Sequence, residues 1–247
     1  MSIMRAMREI LLEVCVDNVH GLAAALAGGA DRIELCAALD VGGLTPSAGL
    51  MRAAAASPVP VVAMIRPRAG DFRYDAAECA VMLADIDAVH AAGLQGVVLG
   101  ASGDDGRLDH RTLATLLAHA RQLGLSCTLH RAFDLAPDLV EATRTAVGLG
   151  FDRILTSGGA PTAGEGIDQL ARCYQAAAGA LVVMPGAGVN TETIAAFRTR
   201  LPLTDVHASC ALPMASIDAR AIAFGFDTHT RRQTSRDQVA ALKSALR

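Results

Sequence analysis

Eight short runs rich in Val, Ile and Leu recur along this chain, each followed by a stretch with helical character. The runs are Ile10–Val16, Arg32–Cys36, Pro60–Arg66, Gly96–Gly100, Ser126–Ala132, Arg153–Gly158, Leu181–Gly186 and Asp205–Cys210. Their starts lie about 22 to 36 residues apart, the span of a βα unit. Helical stretches fall at 18–27, 47–56, 75–92, 109–123, 136–149, 163–178, 190–200 and 235–246. Asp75 with Glu78 three residues on reads as a capping box, and Thr234-Ser235 with Asp237 starts the last helix. Gly28-Gly29, Gly93, Gly124 and Gly150 stop four helices just before the next strand.

Eight such units in about 250 residues is the count of a (β/α)8 TIM barrel, an α/β fold. An open doubly wound sheet is the alternative, but the first strand runs into Asp17-Asn18 with no GxGxxG turn. No Pro/Gly/Ser-rich linker divides the chain, so one barrel domain is expected over residues 1–247. Residues 1–8 read as an N-terminal extension, and 211–234 as a loop after strand eight without assignable elements.

Strand side chains alternate between faces, so parity says what points into the barrel. Leu12, Val14 and Val16 face the helices, which turns Glu13, Cys15 and Asp17 inward. The same reasoning turns Glu34 and Cys36, Val62, Met64 and Arg66, Thr128 and His130, and His207 and Ser209 inward. A barrel interior built only for stability is layered with branched apolar residues. Two carboxylates, a guanidinium and imidazoles there form either a buried ion network or a site. Ionisable clusters at the C-terminal ends of barrel strands favour the site.

The loops add anion-binding candidates. Arg66 and Arg68 open the charged loop 66–74 after strand three, and guanidinium forks suit carboxylates and phosphates. The turn holding Ser157, Gly158 and Gly159 follows strand six, and Gly186 and Gly188 flank the turn after strand seven. Glycine lets backbone N–H groups approach an anion, and a helix N-terminus favours negative charge.

Composition narrows the classes. With 22 basic and 25 acidic residues the net charge is −3, which argues against a nucleic-acid partner, as does the lack of Trp with only 2 Tyr. The longest uncharged stretch, between Arg172 and Glu192, is broken by Gln175, Pro185 and several glycines, so no membrane span is expected. Arg5, Arg8 and Glu9 interrupt the N-terminus, so no signal peptide is expected and the protein reads as cytoplasmic. The six cysteines are scattered without a CxxC pair and read as reduced thiols.

Seven motifs occur in order: Leu12-Glu-Val-Cys-Val16, Gly28-Gly-Ala-Asp-Arg-Ile-Glu-Leu-Cys36, Gly42-Gly-Leu-Thr-Pro-Ser47, Ile65-Arg-Pro-Arg-Ala-Gly-Asp-Phe72, His130-Arg-Ala-Phe-Asp134, Arg153-Ile-Leu-Thr-Ser-Gly158 and Gly186-Ala-Gly-Val189. Together they resemble the CutC family of copper homeostasis proteins, from about residue 10 to residue 210. The resemblance implies a cytoplasmic TIM barrel that binds copper and self-associates as a dimer or tetramer.

Two functions follow. In the first, Cys15 and Cys36 on adjacent strands clamp Cu(I), a soft ion that prefers sulfur, with Met64 as a further donor. In the second, the barrel mouth is an enzyme site for a small anionic substrate, doing isomerase, lyase or hydrolase chemistry. His130 is then the acid or base, tuned by Glu13 or Glu34. Arg66 or Arg68 holds the substrate's charge with the glycine turns. No zincin, P-loop or nucleophile-elbow motif selects a reaction.

Overall fold

The computed structural model describes residues 9–214, 218–226 and 231–247. The N-terminal extension, residues 1–8, lies outside them. Eight parallel strands form the barrel: β1 (Leu11–Val16), β2 (Arg32–Leu35), β3 (Val61–Met64), β4 (Gly96–Leu99), β5 (Ser126–Leu129), β6 (Arg153–Thr156), β7 (Val182–Pro185) and β8 (Asp205–Ala208). Hydrogen-bonded pairing runs β7-β6-β5-β4-β3-β2-β1-β8, and β7 and β8 lie side by side at the seam. Seven helices follow the first seven strands in turn: α1 (Val19–Gly28), α2 (Ala48–Ala54), α3 (Ala76–Ala91), α4 (His110–Gln122), α5 (Leu139–Leu149), α6 (Ile167–Ala177) and α7 (Ile194–Arg200). This is the single-domain (β/α)8 barrel expected from the alternation.

Local chemistry sets the element ends. The Asp75 carboxylate accepts from the Glu78 N–H while the Glu78 side chain accepts from the Asp75 N–H, the reciprocal box that starts α3. Gly29 and Gly150 close α1 and α5 at φ +89° and +85°, where a Cβ would be strained. The apolar strand parity packs as read: Leu12, Val14, Val16, Ile33, Leu35, Val61, Ala63 and Ile65 join one core between sheet and helices.

The chain after β8 is more than a loop. It makes a small antiparallel ribbon, β9 (Ala211–Pro213) with β10 (Arg232–Thr234), and a short helix α8 (Ala219–Ala223) before α9 (Arg236–Ala245). Residues 215–217 and 227–230 of that segment lie outside the described set. Helix α9 docks on α1, where Lys243 binds Asp31 at 2.7 Å and Glu9 at 3.0 Å.

Candidate functional site at the barrel mouth

The barrel interior divides by height. At its floor Glu13 is fully buried and accepts from Arg32 Nε. Arg32 Nη2 also donates to Asp205 at 2.7 Å, and Arg153 lies 3.8 Å from the same carboxylate. Every carboxylate here faces a guanidinium. Burial raises the Glu13 pKa, but Arg32 and His207 outweigh it and hold the group down at about 2. Arg32 shares the parity of Glu34 and Cys36, so the alternation that placed those two places it as well. The inward set read from the sequence did not include it.

One step toward the C-terminal ends, Glu13 Oε1 lies 2.9 Å from His207 Nδ1. An ionised carboxylate only accepts, so Nδ1 carries a proton and Nε2 points on, 3.7 Å from Glu34. Cys15 Sγ, a Glu34 oxygen and a His207 nitrogen lie within 4.8 Å of one another, all buried. Glu34 Oε1 has no hydrogen-bond partner among the described residues. Burial raises the Glu34 carboxyl to about 7, despite the opposing pull of His207. Burial would lower His207, but Cys15, Glu34 and Glu13 raise it well above the ordinary histidine value.

The Cys15–Cys36 clamp depends on register, and the register is different. Cys15 stands opposite Glu34, so Cys36 comes two residues further along β2, nearer the mouth. Cys36 packs instead with Val62, Met64 and Val98, an apolar patch on the inner wall. Burial there, reinforced by Glu34 and Cys15, pushes its thiol pKa well up.

Above this trio opens a cavity of about 820 Å3, walled by Cys15, Glu34, Met64, Arg66, His130 and His207 and by the loops after the strands. Arg66 is not the partner of Glu13 or Glu34 that inward parity suggested. Its Nη1 donates to the carbonyls of Val41 at 2.7 Å and Gly43 at 3.0 Å, and its Nη2 to that of Gly70 at 2.8 Å. Three loop carbonyls therefore hold it away from the acids. His130 accepts the Ala132 N–H at Nδ1, 3.1 Å away. Burial, with Arg66 nearby adding to it, lowers the His130 pKa to about 3. The neutral ring then carries its proton on Nε2. A Cβ on Gly100 would come within 2.5 Å of the ring, so this glycine is what lets His130 sit there.

The glycine turn after β6 does bind an anion, but it is the protein's own. Asp134 accepts from the Ser157 N–H at 3.1 Å, the Gly159 N–H at 3.0 Å and Arg131 Nε at 2.8 Å, and from the hydroxyls of Thr156 and Ser157. The Gly158 N–H is turned to Thr156 Oγ1. After β7, the Gly186 N–H is spent on Thr156 O, whereas Gly188 lines the cavity. Arg68 lies outside the cavity wall and pairs with Glu78 and Asp71. Asp134 had no sequence signal for this role, since it comes from a 3-10 turn at Arg131–Leu135 that strand parity does not describe.

A barrel that collects acids, imidazoles and a thiol at the C-terminal ends of its strands defines a site-bearing class of (β/α)8 protein. Within that class the chain belongs to the CutC family, whose model matches residues 10–212. It is 56% identical over 240 residues to a CutC family protein of Sinorhizobium medicae, spanning 97% of each chain. A Caulobacter vibrioides relative is 50% identical over 241 residues, 97% of this chain and 98% of the other. The solved CutC of Streptococcus agalactiae, described as a copper homeostasis protein, matches with a TM-score of 0.76 at 30% identity, covering 81% of this chain and 98% of that one. A thiamine phosphate pyrophosphorylase of Pyrococcus furiosus, at TM-score 0.60 and 14% identity over 97% of this chain and 96% of its own, shares the fold.

Proposed function

We propose that this chain binds copper(I) as a cargo ion on the inner wall formed by β8, β1 and β2. The convergence of Cys15, His207 and Glu34 within 4.8 Å carries the reading. Sulfur and imidazole nitrogen suit copper(I), and a carboxylate on Nδ1 is the usual way a ligating histidine is oriented. Cys15 and His207 are the primary donors, Glu34 stands beside them, and Cys36 is a sulfur one layer nearer the mouth. Binding must expel protons from the thiol and the ring, so affinity rises with pH. A cytoplasmic setting, where unpaired thiols stay reduced, and self-association accompany this reading.

The test is competition for Cu(I) against a chelator. Cys15→Ser with His207→Asn should abolish one-to-one binding, Cys36→Ser should weaken it, and Cys79→Ser with Cys173→Ser should leave it unchanged. Equal losses from all four cysteines would reduce the binding to general thiol chemistry.

A second reading, an enzyme site for a small anion, is favoured by the cavity itself. About 820 Å3 is far more than one ion needs and falls in the range of small-molecule pockets. Saturable binding of a small anion at the mouth supports this reading, and its absence removes it.

A further inference from the structure

Arg66 is 4% exposed and, among the described residues, has no carboxylate within ion-pair distance. Its η nitrogens are satisfied by three carbonyls, but its buried Nε–H has no hydrogen-bond partner among the described residues, the nearby Tyr74 hydroxyl being likewise unpartnered. A buried cation without a carboxylate beside it is costly unless something supplies the opposite charge. His130 is 3% exposed and is the neighbouring case. Its Nδ1 is taken by Ala132 N–H, and its Nε2 is likewise buried and unpartnered among the described residues. Both residues line the cavity.

One ring touches both. Phe72 packs on His130 with centroids 4.9 Å apart, and the Arg66 guanidinium carbon lies 4.8 Å from the Phe72 centroid. Phe72 is half-buried on the loop after β3 and also lines the cavity. One aromatic side chain of the cavity lining is thus in contact with both residues.

We propose that Arg66 Nε–H and His130 Nε2–H form a receptor for the carboxylate of a small organic acid, which displaces the Phe72 ring as it enters. Two N–H donors match the two oxygens of a carboxylate. A phosphoryl group takes more donors, usually from a glycine turn; the turn at Ser157–Gly159 is already filled by Asp134, and the phosphate arm of the test asks whether the turn at Gly188 takes one. The proposal deepens the second reading, the mouth as a small-anion site, and names the class of anion.

The test titrates the full-length protein with glycolate, pyruvate, succinate and gluconate, with phosphate and uncharged ethylene glycol alongside. Calorimetry measures affinity, and NMR of histidine-15N-labelled protein follows the His130 Nε2–H signal. At least one carboxylate should saturate the protein and shift that signal. Arg66→Lys and His130→Phe should each weaken binding about tenfold or more, the size expected for losing a charge-assisted hydrogen bond. The NMR arm needs no variant, so misfolding of a mutant does not rescue the idea. Carboxylate binding with the His130 signal unmoved overturns the donor pair but leaves the small-anion reading standing. Saturation by phosphate alone overturns the carboxylate class in the same way. Saturation by no anion overturns both.

Discussion

The floor and the mouth of this barrel both bury charged groups, and they treat them in opposite ways. At the floor Glu13, Arg32, Asp205 and Arg153 answer one another, and Arg32 alone bridges two carboxylates. At the mouth Glu34 Oε1, Arg66 Nε and His130 Nε2 are buried without hydrogen-bond partners among the described residues. A buried polar atom without a partner calls for one from outside the fold, and water, an ion or a ligand can each supply it. The same fold therefore separates ionisable residues that answer one another from those that, on the reading proposed above, await a ligand.

The sharpest way to break this contrast is to remove one guanidinium from each region. Arg32→Met strips the cation from two buried carboxylates and should cost about 3–5 kcal/mol. Arg66→Met frees three carbonyls, of which those of Val41 and Gly70 lie on exposed residues that water can reach and that of Gly43 is buried, and should cost about 1–2 kcal/mol. Denaturant unfolding of both variants decides. Equal losses would mean that the mouth arginine is as structural as the floor one.

A middle-sized effect sharpens the boundary between the regions. Asp134 sits at the mouth but behaves like a floor residue, with all its acceptor capacity used by Arg131, Thr156, Ser157 and Gly159. Asp134→Asn keeps the shape but turns an amide group toward donors. It should cost about 1.5–3 kcal/mol. The Ser157 and Gly159 amides should exchange with deuterium faster while anion binding in the cavity stays unchanged. A loss of anion binding with stability intact would move Asp134 into the site.

The barrel was legible because strand length, parity and glycine stops all point one way. Parity also placed Glu13, Cys15, Glu34, His130 and His207 on the inner wall. What parity cannot give is stagger between strands. Cys15 and Cys36 looked like neighbours because both face inward on adjacent strands, yet the ladder sets Cys15 opposite Glu34. Stagger likewise decides that Glu13 meets Arg32 and His207 rather than Arg66. The fate of the turn at 157–159 was invisible for a different reason. Whether a glycine turn greets a ligand or an internal carboxylate depends on how a separate loop folds back. The ribbon of β9 with β10 is too short to carry a two-residue period.

The smallest effect is a matter of pH, and the two mouth residues pull it in opposite directions. Glu34 holds its proton to about 7 in the folded chain, because burial disfavours its charge, against 4.5 for an ordinary carboxyl. Its contribution to stability is full below about pH 4.5 and is lost as pH rises through about 7. His130 stays neutral down to about 3, again through burial, against 6.5 for an ordinary imidazole. Its contribution is full above about pH 6.5 and is lost as pH falls through about 3. Glu13, held down at about 2 by Arg32 and His207, adds little slope above pH 4.5. Between pH 4.5 and 6.5 the slopes from Glu34 and His130 therefore oppose each other, each worth at most about 1.4 kcal/mol per pH unit. The wild-type stability curve should be nearly flat in the middle of this window, at about pH 5.5, and bend down toward its upper end, where His207, raised well above 6.5, adds a falling slope. Glu34→Gln should unmask a curve that rises with pH, and His130→Gln one that falls with pH, by about 1 kcal/mol per unit in each case. Urea unfolding at half-unit steps reads both slopes. A wild-type curve already steep in this window, with neither variant changing it, would show that these two groups are not buried as the mouth geometry requires.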